Sequence, residues 1–145
     1  MSDALQIVCG HCDSVVRVPG DRLEQAPRCP KCHNALFDGQ PFTLRTAGFD
    51  KHMSRSDIPL VVDFWAPWCG PCRAMAPAFE AAAQQFGTRA RFGKINSDEE
   101  PGLSARFTIR GIPTLIVFRG GKEVARQSGA MDLGSLTRWL TPVLA

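Results

Sequence analysis

Trp65-Ala66-Pro67-Trp68-Cys69-Gly70-Pro71-Cys72 stands between an apolar run, Leu60 to Trp65, and an alanine-rich stretch, Gly70 to Phe86. The run carries the β-branched pair Val61-Val62 and reads as a buried strand. The alanine-rich stretch reads as a helix, bent where Pro77 removes a backbone donor. Cys69 is therefore placed at a helix N-terminus, with Cys72 about one turn inside. The unpaired N–H groups and the helix dipole at that point favour a thiolate, and cysteines so placed titrate at roughly 3.5 to 7.5 against about 8.5 for a free thiol. Cys69 is the expected nucleophile, and Cys72, shielded by the helix, the thiol that resolves the mixed disulfide. Trp65 reads as a core aromatic and Trp68 as a partly exposed wall beside the nucleophile.

Outward from this segment the texture alternates between apolar runs and helical patterns, as in an α/β domain. Phe42 to Leu44 reads as an edge strand, Ala47 to Met53 as a short helix and Arg91 to Asn96 as a strand. Pro101 to Phe107 reads as a short helix with Asp98, Glu99 and Glu100 at its positive end. Thr114 to Arg119 and Lys122 to Ser128 read as a hairpin turning at Gly120-Gly121, and Asp132 to Leu140 as a helix with Leu133, Leu136 and Leu140 on one face. Before Gly39 the chain differs: Pro19-Gly20, Pro27, Pro30 and Asp38-Gly39 punctuate short runs such as Val15 to Val18. Too few large apolar residues stand there for a separate core; so short a segment needs a metal or disulfides to fold, and its four cysteines are the expected staple. The boundary falls near Gly39 to Pro41, giving segments 1–39 and 40–145.

The six cysteines form three Cys-x2-Cys pairs. In a chain that opens without a basic, then apolar, export signal they are better read as metal ligands or redox thiols than as a disulfide framework. Cys9, Cys12, Cys29 and Cys32 follow C-x2-C-x16-C-x2-C, which fits one zinc ion held by four thiolates; iron in a tetrahedral sulfur site is the chemical runner-up. Four cysteines satisfy the coordination, so His11, His33 and His52 are read as non-ligands. Seventeen Lys+Arg against fourteen Asp+Glu leave a net charge of +3 with no basic run. That is no nucleic-acid footprint. With 145 residues, 44% hydrophobic and 21% charged, the chain is globular rather than disordered or coiled, and no apolar stretch approaches the ~20 residues that cross a bilayer. Cytoplasmic location and a monomer are the corresponding expectations.

Trp68-Cys69-Gly70-Pro71-Cys72 resembles the active site of the thioredoxin family, and further motifs extend the resemblance over roughly Pro41 to Ala145. Asp63, six residues before Cys69, is similar to the family's buried acid, and Lys94 in Gly-Lys-Ile-Asn to the lysine facing it. Gly111-Ile112-Pro113-Thr114 resembles the loop whose proline is cis and packs against the disulfide, and Gly129 the glycine that leaves room for a substrate chain. With the four-cysteine segment in front, the chain resembles the thioredoxin 2 type of that family. The resemblance implies a thioredoxin fold, a central mixed β-sheet flanked by helices, with a small N-terminal zinc-ribbon-like module. It implies catalysis by Cys69, Cys72, Asp63 and Lys94, and substrate binding along Trp68, Gly70, Pro71, Ile112, Pro113 and Gly129. A carboxylate within Val61, Val62 and Phe64 would be desolvated and ready to take the Cys72 proton through water.

The expected function is reduction of disulfides in protein substrates, with recycling by thioredoxin reductase; Gly70-Pro71 between the cysteines supports the reducing direction. Two purposes are open for the zinc module, local stability or release of zinc when its thiolates are oxidised. A reading from another class makes the knuckles a holder of a partner, with the rest of the chain a carrier. Only Arg17, Arg22, Arg28 and Lys31 face five acids before residue 40, so that partner would not be a nucleic acid.

Overall fold

A computed structural model describes residues 3–145. Its elements form two sheets. β1 (Ala4–Val8) and β2 (Val15–Pro19) make an antiparallel hairpin. β3 (Phe42–Thr43), β4 (Leu60–Trp65), β5 (Arg91–Asn96), β6 (Thr114–Arg119) and β7 (Lys122–Ser128) form the second, in the order β3-β5-β4-β6-β7. β3, β5 and β4 run parallel, and β6 and β7 are antiparallel additions. Among the described residues there are four α-helices: α1 (Thr46–Arg55), α2 (Gly70–Phe86), α3 (Pro101–Arg106) and α4 (Leu133–Leu144).

β4 reads as one apolar run because both of its faces are covered. Successive side chains point to opposite faces of a strand. Thus Val61, with Leu115 and Val117, packs against Met75 and Phe79 of α2 and Leu136 and Leu140 of α4. Leu60, Val62 and Phe64, with Ile116 and Phe118, pack against Phe49 of α1 and Leu103 of α3. Asp63 and Lys94 share the parity of Val61 and Phe92, which directs both to the α2 side.

β4, β5, β6, β7 and α2 fall where the sequence places them, and the ends of other elements differ. β3 stops at Thr43, α1 spans Thr46–Arg55, and α3 ends at Arg106. α4 begins after Asp132, whose carboxylate accepts from the Ser135 N–H at 2.8 Å, and continues past Leu140 to Leu144. Pro142 sits in the last turn, where its missing donor costs one bond and the buried Leu144 supplies packing. The apolar face is therefore Leu136, Leu140 and Leu144, while Leu133 in the first turn is 38% exposed. β1 is a strand that the sequence reading does not anticipate. The N-terminal segment also has a small core after all: Ile7, Val16, Val18 and Leu36 close on Cys9 and Cys29, helped by Ile58 from beyond the segment.

This segment docks where β4 and β5 begin. The Gln6 N–H donates to Asp57 Oδ2 at 2.6 Å, and the Asp57 N–H donates back to the Gln6 carbonyl at 2.9 Å. Buried His52 of α1 meets Asp13 Oδ1 at 2.8 Å and stacks on Phe42 with ring centroids 4.7 Å apart. The six residues of β4, about 20 Å at ~3.3 Å per residue, separate this contact from Cys69 at the other end.

Two glycines permit the close approach. A Cβ on Gly48 of α1 would stand 2.5 Å from Asp13 Oδ2, and one on Gly10 would stand 2.8 Å from the Phe42 side chain. Alanine at Gly48 gains helix propensity of about 1 kcal/mol, but it overpacks the contact and displaces Asp13 from His52. Gly48→Ala is therefore expected to destabilise by about 1–2 kcal/mol net, measured by urea unfolding. Gly102→Ala in α3, where nothing lies within 4 Å of the new Cβ, is expected not to lose stability. Equal effects at the two positions would contradict the close packing described.

Candidate active site and metal centre

Cys69 and Cys72 are joined as a disulfide at the start of α2, with Cα atoms 5.2 Å apart. Cys69 is the helix N-cap, and the Cys72 N–H points at its Sγ from 3.2 Å. That donor belongs to the group of backbone N–H atoms a helix leaves unpaired in its first turn. A thiolate at Cys69 would thus receive a hydrogen bond as well as the field of the helix dipole. Both cysteines are nearly buried, 4% and 2% exposed, while Trp68 is 67% exposed beside them.

Asp63 lies under this turn in β4. It is 1% exposed, and neither carboxylate oxygen has a hydrogen-bond partner. Burial pushes its pKa from 3.8 up to about 7, and the charge of Lys94 pulls it partly back. Lys94 stands directly across from Asp63 in the β4–β5 pairing, with Nζ 4.5 Å from the centre of the Trp65 ring. Trp65 is accordingly half-buried and capped by a cation rather than sealed in the core.

The Ile112-Pro113 peptide is cis, and the Ile112 carbonyl lies 3.7 Å from Cys69 Sγ. The loop packs directly on the redox pair, with Ile112 in the same small cluster as Cys69, Cys72 and Ala66. Gly129 has φ +96°, a conformation suited to glycine, and its N–H donates to the Pro113 carbonyl at 2.9 Å. Gly70 and Pro71 form the first turn of α2. Asp98 is a residue the sequence reading assigns elsewhere, to the start of the next helix. Its carboxylate accepts instead from Trp68 Nε1 at 3.0 and 3.1 Å, holding the exposed indole in place. Thirty residues separate the two, so no local pattern reveals the bond.

At the opposite end, Cys9, Cys12, Cys29 and Cys32 bring their Sγ atoms within 4.8 Å of one another. The Cys9–Cys32 and Cys12–Cys29 pairs are each 3.6 Å apart. Metal–sulfur bonds of about 2.3 Å in a tetrahedron require sulfur–sulfur edges of about 3.8 Å, so the four thiolates fit a single ion. Both knuckles fold alike. Asp13 and His33, each following the second cysteine, adopt φ +63° and +67° and donate to the Cys9 and Cys29 carbonyls. Cys9 and Cys29 donate in turn to Ser14 and Asn34. No histidine joins the set: His52 is bonded to Asp13, and His11 lies 3.6 Å from Asp38. Among the described residues no helix is long and apolar enough to cross a membrane.

Comparison with known proteins agrees with both centres. Residues 40–142 match the model of the thioredoxin family, and residues 8–34 match that of the thioredoxin 2 N-terminal region. Thioredoxin C-3 of Corynebacterium nephridii is 43% identical over 134 residues, 92% of this chain and 92% of that protein. Thioredoxin 1 of a Nostoc species is 44% identical over 92 residues, 63% of this chain and 86% of that one. A mutant thioredoxin from Halobacterium salinarum NRC-1 superposes with a TM-score of 0.66 at 31% identity, covering 74% of this chain and 93% of the other. The buried cysteine pair at the helix start, the acid beneath it and these matches agree: the chain belongs to the thioredoxin family of protein thiol-disulfide oxidoreductases and carries the four-cysteine N-terminal segment of the thioredoxin 2 type.

Proposed function

We propose that Cys69 attacks substrate disulfides, that Cys72 resolves the product, and that Asp63 takes the proton Cys72 must lose. The observation that carries this reading is the unpartnered Asp63 carboxylate on the α2 side of β4, with its pKa raised to about 7. A base poised near neutral pH is efficient because it is ionised yet still basic enough to accept a proton. The reaction balances in two steps. The Cys69 thiolate opens the substrate S–S bond, forming a mixed disulfide and releasing one substrate thiolate. Cys72, deprotonated through water by Asp63, then attacks Cys69 Sγ and expels the second substrate thiolate. Two electrons pass to the substrate, and Cys69–Cys72 is left oxidised. Lys94 holds the acid's affinity for that proton in check. Trp68, Gly70, Pro71, Ile112, Pro113 and Gly129 form the face on which an extended substrate segment rests.

Return of the dithiol by a thioredoxin reductase, cytoplasmic location and monomeric action belong to the same proposal, as does the division into a zinc module, 1–39, and a thioredoxin domain, 40–145. The centre at Cys9, Cys12, Cys29 and Cys32 would hold one zinc ion, which would cross-link the two knuckles and supplement the small core of Ile7, Val16, Val18 and Leu36. Docking on the far end of the sheet leaves Trp68 and Ile112 uncovered by this module, so it does not gate the substrate face. That position supports a structural purpose for the metal.

Titration of the zinc-loaded protein through defined thiol buffers, with thiol trapping and mass spectrometry, tests both readings. Cys69 and Cys72 are expected to convert alone near the roughly −270 mV of a thioredoxin, with the other four cysteines protected. A midpoint at −180 to −120 mV would make the chain an oxidant or isomerase. Co-oxidation of the other four with loss of zinc would make the module a redox switch.

A further inference from the structure

Arg91 opens β5 at the end of the sheet remote from Cys69, and it is 6% exposed. A guanidinium this deep is costly unless its charge is compensated. Among the described residues no carboxylate lies within ion-pair distance of it. Its contacts are neutral instead. Nη1 donates to the Leu36 carbonyl, the rings of Phe37 and Phe42 lie 4.9 and 5.2 Å from the guanidinium carbon, and Nε has no partner.

The first metal-binding knuckle lies immediately beside it. A Cβ on Gly10, between Cys9 and His11, would stand 3.1 Å from Arg91 Nη2. Leu36 and Phe37, both in contact with the guanidinium, follow the second knuckle by a few positions. Four thiolates around a divalent ion carry two net negative charges. Burial lowers the Arg91 pKa, and of the two charges that raise it again Cys9 contributes more than Asp38.

We propose that Arg91 is the counter-charge of the four-cysteine metal centre, so that metal occupancy and the seating of the N-terminal module on β5 are one coupled equilibrium. The inference rests on the zinc reading given above. With the ion in place, the buried cation faces a compact anionic centre across the Gly10 backbone. Without it nothing gathers the four sulfurs into one compact anionic centre, leaving a desolvated guanidinium with only a carbonyl and two rings. Admitting water is then the cheaper state, and the module lifts from Arg91 and Phe42. Arg91 is thus a positioning residue for the metal, carried by the sheet rather than by the knuckles.

Two measurements on the full-length protein test this. Zinc affinity is read by competition with a chromophoric chelator for the parent, Arg91→Met and Arg91→Lys. Loss of an outer partner of metal ligands typically costs 10–100-fold in affinity, and Arg91→Met is expected in that range. Arg91→Lys keeps the charge and is expected to bind zinc more tightly than Arg91→Met. Hydrogen exchange is then compared between zinc-loaded and chelator-stripped parent protein. Stripping is expected to speed exchange at least tenfold at the Arg91 and Leu44 amides, which donate to Pro59 and Lys94, and to leave the Phe64 amide unchanged. Zinc binding by Arg91→Met within threefold of the parent, a lysine variant weaker than the methionine one, or unaltered exchange at Arg91 and Leu44 would each overturn the proposal. If Arg91→Met does not fold, the exchange comparison on the parent decides alone. A parent protein that takes up no zinc overturns the metal reading itself, a failure distinct from equal binding by parent and variant.

Discussion

An Asp63→Asn variant is expected to gain stability relative to the parent as pH rises from 4 to 8. The sign follows from the direction of the shift. The native carboxyl titrates at about 7 and the unfolded one near 3.8, so between these values the folded state binds more protons than the unfolded chain. Parent stability therefore falls as pH rises through this window and levels off above about 7. At 1.36 kcal/mol per unit the shift amounts to about 4 kcal/mol. Asparagine removes that pH-dependent loss, although its buried amide without partners carries a constant cost of about 1–3 kcal/mol. The informative quantity is thus the change in the stability difference between pH 4 and pH 8, about 4 kcal/mol in favour of the variant, read from urea unfolding at each pH. A pH-independent difference would show that Asp63 does not titrate in this range.

The same variant should be a slower reductase. An unassisted thiol with a pKa of about 8.5 is only ~3% ionised at pH 7, so losing the base should slow the resolving step about thirtyfold there. The deficit should shrink nearly tenfold per pH unit towards pH 8.5, as hydroxide replaces the carboxylate. A deficit constant with pH would assign the effect to altered packing. Stability and catalysis pull in opposite directions at this residue, as expected where a strained buried group performs the chemistry.

The redox centre was legible because its chemistry is local. Cys69 and Cys72 lie in one helical turn, so local geometry carries that pair, whereas Asp63 was placed by resemblance and its apolar strand neighbours then gave its burial a physical reason. Lys94 and the Ile112-Pro113 loop come from other strands, and only resemblance placed them. The metal centre was legible from spacing, although the paired turns at Asp13 and His33 were not, since neither residue type demands a positive φ. The docking of the module was illegible throughout. Gly10, Asp13, Gly48, His52 and Arg91 each read as unremarkable turn, helix or strand residues, and their meaning arises from contacts tens of residues apart. Asp98 escaped for the same reason, since an acid before a helix already has an ordinary local explanation. Propensity also stopped α4 too early, because burial of Leu144 outweighed the lost donor at Pro142.

The largest expected effects belong to the two redox cysteines, and the two substitutions should fail differently. Cys69→Ser should reduce disulfides no faster than the uncatalysed exchange, because a serine hydroxyl supplies no thiolate at neutral pH. Cys72→Ser should also lose turnover but retain the first attack, accumulating one equivalent of substrate joined to Cys69. The asymmetry comes from the helix start. The Cys72 N–H points at Cys69 Sγ from 3.2 Å, whereas among the described residues no donor points at Cys72 Sγ. The first thiol is thus prepared as a thiolate, and the second depends on Asp63 for its activation. Non-reducing electrophoresis and intact mass on each variant, incubated with a disulfide-bonded protein, would separate the outcomes. A mixed disulfide trapped by Cys69→Ser through Cys72 would reverse the roles. Loss of reductase activity in Cys69→Ser with partner binding unchanged would separate the redox function from the carrier reading. Reversed roles are not expected, since a single N–H at the helix start decides which sulfur attacks.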